Sequence, residues 1–220
     1  MHTIVLATQK GGSGKSTLAI GLAVAAMQDG QRVRLLDADR QETVWNWGRR
    51  RANPSPGVAR VDSGIAIEQT LPFLDRSGIT LAIIDTAGAD GVLSANIIGA
   101  ADLCLIPARP SPADIEAAAP TIRAIRKLEK PFALVLNQTP ARSYRVSEAA
   151  SALNAIGVLA LPYIVQRNDH QDALGAGLAV SEFAPEGKAA EEIRGLWQWV
   201  LKRLNLGSFD HETTQIRAAG

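Results

Sequence analysis

The stretch of this sequence best suited to chemistry is Lys10-Gly11-Gly12-Ser13-Gly14-Lys15-Ser16-Thr17. Glycines here let successive backbone N–H groups turn inward and approach a phosphate closely. An apolar run precedes the stretch and a helical pattern follows it, so the phosphate would also meet the positive end of a helix. Lys15 would then reach the terminal phosphates, and Ser16 would ligate magnesium. Two acidic sites follow later apolar runs: Asp37-Ala38-Asp39-Arg40-Gln41, and Asp85 in Leu81-Ala82-Ile83-Ile84-Asp85-Thr86-Ala87-Gly88. Carboxylates at the ends of strands sit where parallel α/β sheets bind ligands. Each aspartate could also simply cap a helix, and for Asp37 the two readings balance.

The general phosphate-loop pattern wants glycine five residues before Gly14, and that position is Gln9. A second lysine, Lys10, stands ahead of paired glycines instead. This resembles the deviant Walker A motif of the ParA/MinD ATPase family. The resemblance implies that Lys10 crosses a two-fold interface to the phosphates of a partner's ATP, giving an ATP-sandwich homodimer. It implies that Asp39, in a segment similar to the family's DxDPQ switch with Arg40 in place of proline, orients or activates the attacking water near magnesium. Asp85 would hold a magnesium-bound water, and the backbone N–H of Gly88 would sense the γ-phosphate.

Further segments resemble the same family over roughly residues 3–205. They are Trp45-Asn46-Trp47, the proline-rich Pro107-Ala108-Arg109-Pro110-Ser111-Pro112-Ala113-Asp114, Asn137, and Gln166-Arg167-Asn168. Asn137 matches an adenine-reading asparagine, and Arg167 a basic residue expected to touch DNA. The expected member is a small plasmid-type ParA without an N-terminal helix-turn-helix. It would use ATP/ADP and Mg2+, a ParB-like centromere-binding or adaptor partner, and nonspecific DNA. A ParA-like positioner of protein cargo, such as a carboxysome or chemoreceptor cluster, fits the same motifs. A MinD-like membrane-cycling ATPase fits less well, because Asp210-His211-Glu212-Thr213-Thr214-Gln215 has no apolar face. The expected location is cytoplasmic, and nucleoid-associated when ATP is bound.

The elements that must position these residues alternate. Strands are predicted at Thr3–Thr8, Arg32–Asp37, Thr80–Asp85, Asp102–Pro107, Pro131–Asn137 and Val158–Ile164. Helices are predicted near Ser16–Asp29, Gln41–Arg51, Gly91–Ala100, Pro112–Lys130, Val146–Ile156 and Lys188–Leu206. In the last, Ile193, Leu196, Trp197, Val200, Leu201 and Leu204 form one apolar face. Strand–helix alternation with continuous apolar runs implies an α/β fold, a doubly wound and mostly parallel sheet with helices on both faces. The expected organisation is one domain over 1–206 and a flexible polar tail over 207–220.

Composition removes other classes. The chain has 220 residues, 46% hydrophobic and 20% charged, an ordinary globular balance. A single cysteine, Cys104, can build neither an internal disulfide nor an all-protein iron–sulfur site, and suits a reducing compartment. That excludes a nitrogenase-reductase-like electron donor, which needs two cluster cysteines. Two tyrosines, Tyr144 and Tyr163, do not make the terminal tyrosine cluster of a related kinase class. No secretion signal or membrane span is expected. Net charge is only +1, yet Thr121–Arg167 holds seven basic residues against two acidic. Arg142 and Arg145 are the next candidates after Arg167 for a phosphate-binding patch.

Overall fold

The computed structural model describes the backbone of residues 1–87 and 92–218, with the side chains of all of these except 64–65, 92–94 and 205–218. The strands are β1 (His2–Leu6), β2 (Val33–Ala38), β3 (Gly57–Arg60), β4 (Leu81–Thr86), β5 (Leu103–Ala108), β6 (Phe132–Leu136) and β7 (Leu159–Ala160). The helices are α1 (Lys15–Gln28), α2 (Thr43–Arg50), α3 (Gly64–Arg76), α4 (Val92–Gly99), α5 (Pro112–Lys127), α6 (Tyr144–Ile156), α7 (Asn168–Gly175), α8 (Val180–Phe183) and α9 (Lys188–Ala218). The strands form one sheet in the order β3-β2-β4-β1-β5-β6-β7, and every pairing is parallel. The expected doubly wound α/β fold is therefore the observed one.

The strands split their side chains between two cores. Ile4, Leu6, Leu35, Leu81, Ile83, Leu103, Leu105 and Val135 pack with α1, Trp47 of α2 and the α9 stripe. Val5, Leu36, Ile84, Cys104, Ile106, Leu134 and Leu136 pack on the other face, with Ile67, Ile97, Ile122, Ile125 and Leu153. Burial on both faces explains why strands such as Leu81-Ala82-Ile83-Ile84 carry no polar alternation.

Several expected elements differ. The strand expected at Val158–Ile164 shrinks to Leu159–Ala160, with an isolated bridge between Thr139 and Val165. Pro162 has no N–H to continue the ladder. Strand β3 and helices α3, α7 and α8 are additional. β3 is a half-exposed edge strand, and α3 carries Pro72 in its interior. Helix α9 continues to Ala218, through most of the expected tail at 207–220. Once nucleated by its packed first turns, a helix extends at one hydrogen bond per residue ordered and needs no apolar face to do so. Among the described residues, no helix is long and apolar enough to cross a membrane.

Candidate nucleotide site

Strand order brings the chemistry together. β4 lies between β1 and β2, and Asp85 pairs in register with Leu6 on one side and Asp37 on the other. The loop after β1 thus stands beside the carboxylates that end β2 and β4. This is the carboxyl edge of the sheet, where the order reverses around β1 and ligands bind in such folds.

The phosphate loop is built as its glycines suggest. Gly12 and Gly14 have φ values of 74° and 90°, a region glycine enters without steric cost. Gly14 is also pressed from below: a Cβ there would lie 2.3 Å from Asn137 Nδ2. Asn137 donates Nδ2 to the Ser13 carbonyl at 2.7 Å, and Gln138 donates Nε2 to the Gly12 carbonyl at 3.0 Å. With these two carbonyls tied down, the loop's N–H groups are left to face a ligand. Asn137, expected at the adenine, thus spends its amide donor on the loop in this structure. The sequence singles out one residue after β6, Asn137, whereas two residues there, Asn137 and Gln138, brace the loop.

Lys15 opens α1 and is 7% exposed, and Ser13 is buried with its Oγ unpartnered. Asp85 is fully buried, and neither carboxylate oxygen has a hydrogen-bond partner among the described residues. Burial pushes its carboxyl up to about 7. The Ser16 hydroxyl and the Lys15 ammonium pull it down, and the charges of Asp37 and Asp39 push it further up. Ser16 is close enough for that effect yet short of hydrogen-bonding geometry. A buried acceptor with nothing to accept from is costly, and it fits a cation or a metal-bound water. Ser16 and Asp85 therefore suit magnesium. Among the described residues no group of three His, Cys, Asp or Glu could hold a metal alone.

Asp37 has a defined structural job. Its carboxylate accepts from the backbone N–H of Asp39 at 3.0 Å and of Trp45 at 2.8 Å. It therefore ties the 39–42 turn to the start of α2, which is the capping alternative. Burial raises its pKa, opposed by those backbone hydrogen bonds. Asp39 is half-exposed, and its Oδ1 accepts from the Gln41 N–H at 2.9 Å. Trp47 is fully buried and donates Nε1 to the Leu178 carbonyl, while Trp45 lies under the Arg60 guanidinium.

Lys10 is half-buried at the same edge, without an ion pair among the described residues. In the proline-rich segment, Asp114 is buried and accepts from Arg109 Nε at 2.9 Å and Ser111 Oγ at 2.6 Å. Burial raises its carboxyl, but those two bonds and the charges of Arg109 and Lys10 win, so the net shift is downward. Gly88 lies outside the described residues.

The expected basic patch is divided by the topology. Arg142 and Arg145 are exposed at the carboxyl edge, at the start of α6. Arg123, Arg126, Lys127 and Lys130 lie at the end of α5, which runs back to the opposite edge. Arg167 caps α7, and its Nη2 is paired with Glu192 Oε1 at 2.6 Å. Glu192 also accepts from the Val165 N–H, so Arg167 anchors α9 to the segment before α7. It is not a free surface cation.

The family model described as VirC1 protein matches residues 1–176. The carboxysome distribution maintenance protein A of Halothiobacillus neapolitanus is 30% identical over 209 residues, 90% of this chain and 96% of that protein. Protein virC1 of Rhizobium rhizogenes is 30% identical over 188 residues, 80% of each chain. The solved MinD cell division protein of Aquifex aeolicus has a TM-score of 0.75 at 16% identity, covering 92% of this chain and 98% of that one. A family match that runs from β1 through α7, over the whole of the site described above, makes the chain a member of the VirC1 protein family, within the ParA/MinD ATPases.

Proposed function

We propose that this protein is a magnesium-dependent ATPase that dimerises face to face on ATP and separates after hydrolysis. The observation that carries the reading is Asp85, a fully buried carboxylate with two idle oxygens beside Lys15 and Ser16 of a braced phosphate loop. Lys15 and the loop N–H groups bind the phosphates, while Ser16 and Asp85 hold the magnesium shell. The metal, when bound, neutralises charge that develops on the transferred phosphoryl group. Asp39 orients water from a turn that Asp37 fixes. Lys10 is half-buried and unpaired at the open edge, and it serves the partner's nucleotide across the two-fold axis. Catalysis is then mostly positioning and charge stabilisation. Turnover is slow until a partner stimulates it.

The cargo reading is DNA partition with a ParB-like or adaptor partner and nonspecific DNA contact, in the cytoplasm on the nucleoid. One observation favours a second reading, the positioning of a protein assembly. Two relatives that match 90% and 93% of this chain, at 30% and 29% identity, are named for carboxysome distribution.

Lys10→Ala tests the core of the proposal. ATP binding should persist, because Lys15 and the loop remain, while ATP-driven dimers vanish in light scattering and stimulated hydrolysis is lost. Normal dimers in that variant would refute the trans role. Wild-type protein without magnesium-dependent ATPase, even with partner and DNA, would refute the enzyme.

A further inference from the structure

The turn that carries Asp39 is held by contacts reaching it from β3, the edge strand of the sheet. The Glu42 N–H donates to the Asp39 carbonyl at 2.9 Å, which closes a β-turn with Arg40 and Gln41 at its centre. Glu42 itself sits at φ 52° and ψ 33°, a left-handed conformation in which its Cβ crowds the backbone. It opens α2 without a side-chain cap. A residue in such a conformation persists only where its surroundings over-determine it, and such positions cluster at functional sites.

Those surroundings are built around Arg60. It ends β3 beside Asp37 of β2, and the Val61 N–H donates to the Asp37 carbonyl at 2.8 Å. Arg60 Nη1 donates to Glu42 Oε1, and the guanidinium lies 5.5 Å from the centre of the Trp45 ring. The contacts make a closed ring. Asp37 accepts from the Asp39 and Trp45 N–H groups, Trp45 carries Arg60, Arg60 holds Glu42, and Glu42 closes the turn on Asp39. Asp39, Glu42, Trp45 and Arg60 all line one cleft with Asp37. Arg60 is exposed and Glu42 half-buried, and an ion pair so open to water adds little to global stability. Its effect is local: it selects one conformation of the turn.

We infer that Arg60 is a positioning residue for hydrolysis, fixing the turn that carries Asp39 through Glu42 and Trp45. The inference rests on the role given to Asp39 in the proposed ATPase. Loss of Arg60 leaves Lys15, Ser16 and Asp85 in place, so nucleotide affinity holds while the attacking water loses its orientation. Arg60→Ala removes an exposed ion pair and a cation–π contact, which together favour the closed turn by about 5- to 10-fold. Turnover falls by about that factor, and KM for ATP moves by less than about 2-fold. A proline supplies the same order from within. Its ring fixes φ at about −65°, the value common turns want at the position Arg40 occupies. The Arg40 N–H makes no hydrogen bond among the described residues that proline would break.

The experiment measures magnesium ATPase over an ATP series, and hydrogen–deuterium exchange over residues 39–46 without nucleotide. The Gln41, Glu42 and Trp45 amides, all hydrogen-bonded in the ring, report the turn. In Arg60→Ala, kcat should fall about 5- to 10-fold at nearly constant KM, and exchange over 39–46 should quicken severalfold. Glu42→Ala should lose less, and combining it with Arg60→Ala should add nothing. Arg40→Pro should be silent by itself and restore both readouts in Arg60→Ala. A kcat per folded molecule equal to wild type in Arg60→Ala, with only the unfolding midpoint shifted, would make the residue merely structural and overturn the inference. So would losses that add in the combined variant, or exchange restored by Arg40→Pro without kcat. Wild-type protein that hydrolyses no ATP refutes the proposed enzyme, whereas unchanged exchange in nucleotide-free Arg60→Ala refutes the hold of Arg60 on the turn.

Discussion

Replacing Asp85 by Asn should stabilise the empty protein and abolish its response to magnesium nucleotide. The carboxyl is raised from 3.8 to about 7, chiefly by burial. A shift of about 3 units corresponds to about 4 kcal/mol for ionising the folded form. A raised folded-state pKa stabilises the fold below about pH 4, and that contribution is lost as pH climbs to 7. At pH 8 the ligand-free protein therefore carries the whole cost. Asparagine keeps the shape and never ionises, although its amide adds a cost of its own that does not vary with pH.

The clean quantity is thus the pH dependence of the difference between the two proteins. Linkage puts the advantage of Asp85→Asn at pH 8 about 2–3 kcal/mol above its advantage at pH 5. Thermal or urea unfolding in EDTA without nucleotide measures it. At roughly 2–4 °C per kcal/mol for a chain of this size, the melting gap should widen by about 5–10 °C between the two pH values. Lys15, Asp37 and Asp39 face the same group, and their charges are common to both proteins. Adding magnesium and ATP should reverse the order, because only the aspartate gains from the metal shell. A gap that stays constant with pH, or a variant stabilised by magnesium nucleotide as much as wild type, would show that Asp85 is not an ionisable carboxylate awaiting a cation.

Other outcomes follow from the same geometry. Asp39→Ala should bind ATP and dimerise but stall in phosphate release; a monomer in ATP would mean that Asp39 is structural. Lys15→Ala should lose nucleotide affinity by calorimetry, since a charge-assisted contact to phosphate disappears; unchanged affinity would contradict the site. Gly14→Ala should destabilise the fold by about 2–3 kcal/mol, from a side chain forced into positive φ and a broken Asn137 bond; urea unfolding within 0.5 kcal/mol of wild type, a surface-like effect, would be inconsistent with it. Arg51→Ala should cost about 3–5 kcal/mol, because it strands Glu182 and removes the packing over Trp47; a cost under about 1 kcal/mol would mark the pair as surface-like.

What the sequence made legible was local and periodic. The loop from Lys10 to Thr17 carries its meaning in glycine spacing, and the two-sided strands carry theirs in unbroken apolar runs. β3 stayed hidden because Gly57-Val58-Ala59-Arg60 is a half-exposed edge with no pattern to notice. Helix α3 was obscured by Pro72, whose missing N–H argues against a helix that tertiary packing of Ile67 and Leu74 nevertheless holds. The two roles of Asn137 and Gln138 depend on β6 lying two strands from β1, which no local pattern encodes. Arg167 is a different case. Its place in Gln166-Arg167-Asn168 suggests a DNA contact by resemblance, whereas the partner that holds it, Glu192, comes from a helix 25 residues away, which no local pattern shows.

The site also shows where stability is given up for function. Asp37 and Asp85 occupy paired positions on adjacent central strands, and Asp39 follows two residues on. The two buried carboxylates and the half-exposed Asp39 repel each other, and Asp37 and Asp85 also lose hydration, which their raised carboxyls record. A core aimed only at stability would place apolar residues there. Asp37 recovers part of the cost through the N–H groups of Asp39 and Trp45. Asp85 has only the pull of the Ser16 hydroxyl and the Lys15 ammonium, and the rest of its relief has to come from a ligand. The clamp behind α2 sharpens this contrast. Arg51 binds Glu182 and the Gly177 carbonyl, and Trp47 binds the Leu178 carbonyl, so the far side of the switch segment is fixed to α8. Between this clamp and the loop braced by Asn137, the turn at Asp39–Glu42 exposes Arg40 and Gln41 while its ends are tied by Asp37 to the Asp39 N–H and by Arg60 to Glu42. Charge repulsion at Asp85 and the half-exposed Asp39 thus sit together, and filling the site relieves that repulsion.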